Sequence, residues 1–304
     1  MTTATDTATA PSPARVAGTN GARATPSSSR PTALFVSPHL DDVAFSCGGT
    51  VARLATLGWR CVVATVFTRS VPRPTGFALA CQLDKGLEAD VDYLALRRDE
   101  DRAFAAAVGA ETAWFDLPEA PHRGYGSAAA LFGPTHDEDG IGAAVDARLA
   151  AAVDRMQPVQ VFAPLALGDH VDHVQVARAV RRSLRDVPVA WYRDTPYALR
   201  LGSAAADGAT LAVALDGASL DAKLAGCAAY ATQIGFQFGG VDAMRAALVA
   251  HAQGEARAAG HGDGHAERFA GRWGDACRQV ALCSGGEETG AGPQRPSTPC
   301  DPGR

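Results

Sequence analysis

Two short stretches concentrate the side chains that can hold a metal or move a proton. The first is Ser37-Pro38-His39-Leu40-Asp41-Asp42 and the second is Gly168-Asp169-His170-Val171-Asp172-His173. In the first, one imidazole and one carboxylate suit a borderline cation, and the neighbouring carboxylate is left over to handle protons. An Asp-Asp pair is more often a helix cap, because Asp is favoured at N-caps and in first turns; His39 directly upstream weakens that reading without removing it. In the second stretch, His170 and His173 are three apart and share a face if the first turn is helical. Zinc sites commonly take a further ligand from such a distant segment. Alone, His-x-x-His fits a metal motif and a polar helix start capped by Asp172 about equally well.

The two stretches gain weight from the elements that must position them. Thr32–Ser37 reads as a strand, which Pro38 stops by holding Ser37 extended. Gly48 and Gly49 allow close backbone approach at the start of a helix over about Gly49–Leu57. A strand at Cys61–Phe67, a helix at Leu96–Val108, a strand at Ala113–Leu117, a helix at Ile141–Met156 and a strand at Val159–Leu165 follow. His173–Leu184 repeats apolar residues at Val176, Ala177, Val180 and Leu184, one face of a helix, and Val187–Tyr192 is a further strand. Alternating β and α units predict an α/β, Rossmann-like layered fold with a mostly parallel central sheet and its active site at the carboxyl ends of the strands. Both stretches then fall on one edge of one sheet. Beyond Gly202 the pattern is less decisive: Ala222–Thr232 and Val241–Ala250 read as helices, and the segments around Gly239 and Gly260–Gly264 as loops.

These residues resemble the PIG-L/LmbE-like deacetylases, zinc enzymes that remove acyl groups from N-acylated sugars. The family's opening motif, Pro-His-Pro-Asp-Asp with a downstream Gly-Gly, is present as Pro38-His39-Leu40-Asp41-Asp42 and Gly48-Gly49, and its His-x-Asp-His as His170-Val171-Asp172-His173. Weaker echoes are Arg97-Arg98-Asp99-Glu100-Asp101 and Tyr230-Ala231-Thr232-Gln233, so the resemblance spans about residues 32–235. Leu40 departs from the family's proline and bears only on the rigidity of the loop. The resemblance implies one divalent metal ion, zinc before iron, held by His39, Asp42 and His173, with Asp41 as general base. His170 would face the substrate carbonyl in protonated form, held by Asp172. The substrate implied is an N-acyl, in the first place N-acetyl, amino sugar or a glycoconjugate bearing one.

Around this site, Arg69 at the end of the second strand is placed to hold a sugar hydroxyl or carboxylate, although a solvated arginine is equally consistent. Residues 71–96 are long for a simple member of the family and read as a substrate-shaping loop. Tyr192, Asp194 and Tyr197 flank another strand end and could line the pocket, although aromatics there more often pack than bind. A phosphoester hydrolase would call for a second metal and a further acidic cluster at a strand end, which the sequence lacks. A non-catalytic sugar-binding module on the same fold would need neither Asp41 nor His170.

Composition bounds the rest. The chain has 304 residues, 47% of them hydrophobic, enough for a large core. Its net charge of −5 offers no broad basic surface for nucleic acid. Residues 1–31 and 285–304 are too poor in large apolar side chains to fold and read as disordered tails around a domain at 32–284. Seven cysteines include no CxxC pair, no apolar run is long enough to cross a membrane, and no export signal is visible. The expectation is a cytoplasmic enzyme with reduced thiols. The Ala-, Arg- and Gly-rich composition looks like that of a high-GC bacterial chain of the sort that often makes secondary metabolites, and together with the family resemblance it implies glycopeptide or aminoglycoside tailoring.

Overall fold

A computed structural model of the chain describes residues 1–2, 30–202 and 208–282. The tails expected at 1–31 and 285–304 lie almost wholly outside the described residues. The elements run β1 (Thr32–Ser37), α1 (Asp42–Thr56), β2 (Arg60–Phe67), α2 (Gly76–Leu83), α3 (Tyr93–Val108), β3 (Glu111–Leu117), α4 (Ala128–Leu131), α5 (Ile141–Met156) and β4 (Gln160–Pro164). They continue with α6 (Val171–Ser183), β5 (Val189–Tyr192), α7 (Tyr197–Leu201), β6 (Leu211–Leu215), α8 (Gly217–Cys227), α9 (Ala231–Phe238), α10 (Val241–Ala258), β7 (His265–Gly271) and α11 (Asp275–Leu282). The strand order is β3-β2-β1-β4-β5-β7-β6. β3, β2, β1, β4 and β5 pair in parallel, and β7 joins β5 and β6 in antiparallel fashion.

The central strands are apolar on both faces because helices cover both. Along β1 and β2, Ala33, Phe35, Cys61 and Val63 face a core shared with α1, α3 and α8. Leu34, Val36, Val62 and Ala64 alternate to the opposite core, filled by Val145 and Leu149 of α5 and Val176 and Val180 of α6. The chain leaves β1 towards β2 on one side and reaches β4 on the other, so the strand order reverses between β1 and β4. In an open α/β sheet the crevice opens at that reversal. The loops after β1 and β4 are the two that carry the histidines.

Two expectations changed in the last third. The helix anticipated at Ala222–Thr232 is two helices, α8 and α9, separated at residues 228–230. The antiparallel β6–β7 pair, its strands separated along the chain by α8, α9 and α10, was not anticipated, because β7 reads His-Ala-Glu-Arg-Phe-Ala-Gly and buries a charge, Glu267, only 4% exposed. Its purpose is visible at α1, whose backbone leaves helical geometry at Cys47 (φ −140°, ψ 26°). The break frees the amides of Gly49 and Thr50, which donate to Glu267 at 3.1 and 2.7 Å, and Lys223 closes the pair from α8 at 2.6 Å. A Cβ on Gly49 would lie 2.5 Å from Leu215, so the glycine is there to let the β6–β7 strand pair approach.

Candidate active site

The turn after β1 is fixed by its own side chains. Ser37 Oγ donates to the His39 carbonyl at 2.6 Å and accepts from Val43 N at 3.2 Å, while Asp42 Oδ2 accepts from His39 N at 2.7 Å. This sets Asp42 at the first position of α1 with its carboxylate turned back towards His39. After β4, His170 is the N-cap of α6, its Nδ1 accepting from the amide of Asp172 at 3.2 Å, and His173 follows in the first turn.

The two loops meet at Asp42. Its Oδ2 lies 3.3 Å from His39 Nδ1 and 3.3 Å from His173 Nε2. Donors about 2.0–2.1 Å from a tetrahedral ion stand roughly 3.3 Å apart, so His39, Asp42 and His173 fit such an ion. They are among the few groups of described residues whose ligand atoms lie within 4.8 Å of one another. The remaining ring nitrogens are tied off by buried carboxylates: His39 Nε2 to Asp172 Oδ2 at 2.9 Å, and His173 Nδ1 to Asp194 Oδ1 at 2.7 Å. An outer carboxylate of this kind fixes ring orientation and makes the facing nitrogen a better donor to metal.

Asp41 stands apart from that cluster. It is 4% exposed, receives Arg97 at Oδ1 (2.9 Å) and Gln237 at Oδ2 (2.8 Å), and lines the same cleft as His170. Burial raises its pKa, against the pull of Arg97. Burial also opposes charge on His39, yet the carboxylates of Asp172 and Asp42 raise it from 6.5 to about 9. Against the same burial, His173 is pushed well above its usual range by Asp42 and Asp194, and Asp42 is held well below its own by His173 and His39. His170 goes the other way: burial, then the charge of His39, lower it to about 3.

Most of the residues singled out in the sequence come together here, with three differences. The Asp172 carboxylate serves His39, Ala120 N (3.0 Å) and Arg123 (2.8 Å), and only its backbone amide reaches His170. Burial, then the charge of His39, favours the neutral ring of His170 over the imidazolium expected from the sequence, against the pull of the Asp172 carboxylate. Arg69 stays outside the cleft, its side chain 44% exposed and paired with Asp116 at 3.4 Å. The segment 71–96 does form a wall of the cleft, through α2 and residues on either side of it, around a cavity of about 350 Å³.

Sequence reasoning assigned no role to Arg97, Arg123 or Gln237, and gave Asp194 only a place along the pocket. Asp194 carried a usable signal, since it follows β5 at the same sheet edge. Arg97 lay inside a quoted echo, but only the fold shows that it reaches Asp41, the Leu40 carbonyl (3.2 Å) and Glu119 (2.9 Å) at once. Gln237 and Arg123 sit in helical and loop context with nothing local to mark them.

Comparison with known proteins places the fold and the matched segment among deacetylases. Residues 34–184 match the PIG-L family, described as GlcNAc-PI de-N-acetylase. A 2'-N-acetylparomamine deacetylase of Streptomyces fradiae is 36% identical over 168 residues, 54% of this chain and 57% of that protein. A second protein of that description, from Niallia circulans, is 31% identical over 186 residues, 54% of this chain and 66% of its own length. The chain thus spans less than two thirds of either relative. Among solved structures, an A40926 pseudoaglycone deacetylase superposes with a TM-score of 0.66 at 25% identity, covering 79% of this chain and 97% of its own. A teicoplanin-pathway deacetylase gives 0.67 at 25%, covering 79% and 98%. Residues 34–184 form a domain of the PIG-L family.

Proposed function

We propose that the chain is a zinc-dependent N-deacetylase that hydrolyses the N-acetyl group of an amino sugar, free or carried on a glycosylated small molecule, in secondary metabolism. The observation that carries this reading is the convergence of His39, Asp42 and His173 beside a buried carboxylate, Asp41, that is not one of them. The named relatives deacetylate amino sugars of antibiotics or belong to such pathways, which supports the substrate class. Two imidazoles and one carboxylate are a donor set that zinc accepts, and iron can replace it. Among the described residues no helix is long and apolar enough to cross a membrane, and the proposal places the enzyme in the cytoplasm.

When bound, the ion supplies Lewis acidity at the amide carbonyl and at the attacking water. The rest is the work of the chain. Asp41 takes the proton of the water as its oxygen bonds to the carbonyl carbon; its raised pKa makes it a stronger base than a free carboxylate. Arg97 and Gln237 hold the two oxygens of Asp41 and fix its direction. His170 accepts a backbone amide at Nδ1, so its proton is on Nε2, where it donates to the carbonyl oxygen as negative charge grows there. The C–N bond then breaks as Asp41 passes its proton to the nitrogen, leaving acetate and a free amine.

The test is metal content and acetate release on one preparation. Asp41→Asn should keep about one metal per chain while turnover falls roughly 10²–10⁴-fold, the usual span for losing a general acid–base. Asp42→Ala should lose the metal. Full turnover in Asp41→Asn, or full metal content in Asp42→Ala, would refute the corresponding role.

A further inference from the structure

The wall built by residues 71–96 carries one group that this hydrolysis does not use. Lys85, two residues past α2, lines the same cleft as His39, Asp41 and His170. Its Nζ donates to the Cys81 carbonyl at 2.9 Å and stands 5.4 Å from the ring centre of Tyr93 and 5.1 Å from that of Phe236. An ammonium has three N–H donors, so two remain after Cys81. The other cations buried near the site are matched by carboxylates: Arg97 by Asp41 and Glu119, Arg123 by Asp139 and Asp172, Lys223 by Glu267. Among the described residues, Lys85 alone of these forms no ion pair.

We infer that Lys85 anchors an anionic group on the substrate, a carboxylate or a phosphate ester, so that the sugar unit deacetylated is acidic rather than rich in amines. The rings of Tyr93 and Phe236 flank the half-buried ammonium, and a charge so placed gains more from an anionic partner than a fully exposed one does. Burial also holds the Lys85 pKa below the usual lysine range, the mark of a charge short of compensation. Glu119 and Asp41 act on Lys85 through space, but no acidic side chain of the cleft pairs with it. Glu119 is taken by Arg97, Asp92 receives Ser70 and Ala95 N, and Asp84 is exposed to solvent. A substrate amine brought beside Lys85 itself would meet like charge, so an acidic group is favoured over an amine at that point of the wall.

The inference rests on the deacetylase reading, and the experiment keeps the two apart. The zinc-loaded full-length chain is titrated calorimetrically with N-acetylglucosamine, N-acetylglucosamine 6-phosphate and 2-acetamido-2-deoxyglucuronic acid, and acetate release is measured from each. One or both anionic probes should bind about tenfold or more tighter than the neutral sugar, a gain of the size one close charge pair supplies. That ratio should fall to within about twofold in Lys85→Gln and survive in Lys85→Arg. Which acid is preferred tells carboxylate from phosphate. Equal binding of all three by the wild type, no binding of any, or a preference that persists in Lys85→Gln would overturn the anchor. A preserved binding preference with no acetate from any probe would instead overturn the deacetylase and leave the anchor standing.

Discussion

Asp172 lies two residues from His170 in the chain, yet its carboxylate is bonded to His39, 133 positions away, at 2.9 Å. The carboxylate is fully buried, and its other contacts, Ala120 N and Arg123, come from the excursion between β3 and α5. One anion therefore joins the loop after β1, the start of α6 and that excursion. Its position fixes His39 with Nδ1 towards Asp42.

Asp172→Asn tests this directly. Losing an outer carboxylate of a metal-ligating histidine costs about 10–100-fold in metal affinity. Equilibrium dialysis against zinc should show that loss for Asp172→Asn, whereas His170→Gln should bind zinc within about twofold of wild type and fail in turnover. If both variants lose zinc equally, Asp172 acts through His170 after all.

The metal-stripped protein should lose stability with rising pH. His39 is raised from 6.5 to about 9 in the folded state by Asp172 and Asp42 acting against burial. A raised imidazole contributes stability that is fully present below about 6.5 and is lost as pH rises through about 9. The amount is at most about 3 kcal/mol, counted once for the histidine and its carboxylates together. Thermal melts of stripped protein should fall across pH 6.5–9, and zinc binding should tighten over the same interval as the competing proton leaves. A melting temperature that rises with pH there would contradict the ion pairs at His39.

Much of this was legible in the sequence, and the limits have physical causes. The strands that carry the site are continuous apolar runs because they are covered on both faces, so β1, β2 and β4 stand out with bounds that differ by a residue or so from those read. His39, Asp41, Asp42, His170 and His173 are grouped in two motifs at strand ends, where a parallel sheet presents them. Arg97 and Gln237 reach Asp41 from 56 and 196 positions away, a relation no local pattern records. β7 escaped notice because its inward charge, Glu267, answers to a broken helix elsewhere, and a buried charge erases the alternation by which a strand is recognised.

Gly49→Ala probes that relation. The added Cβ would stand 2.5 Å from Leu215 Cδ1 and 3.1 Å from Glu267 Oε1, in a backbone conformation that alanine otherwise accepts. Overpacking of this kind costs about 1–3 kcal/mol, which for a domain of this size lowers the melting temperature by roughly 2–10 °C. Gly217→Ala, where nothing lies within 4 Å of the new atom, is the control and should melt as wild type or slightly higher. Equal melting of the two variants would mean that the β6–β7 strand pair does not press on α1 as described.

Arg97→Met examines the base. Arg97 is 4% exposed, and its guanidinium is the group that opposes the burial-driven rise in the Asp41 pKa. Without it, Asp41 keeps its desolvation and loses its counter-charge, so its pKa moves further up. A base must be deprotonated to act, and the acid limb of the kcat/KM profile should therefore shift to higher pH, with activity lost at neutrality and partly recovered in alkaline buffer. Lys at 97 would keep the charge but not the three-way contact to Asp41, Glu119 and the Leu40 carbonyl, so Arg97→Lys should leave the limb near its wild-type position while lowering the plateau. If both variants depress activity by the same factor at every pH, Arg97 serves only to pack α3 against the site, and the protonation of Asp41 does not depend on it.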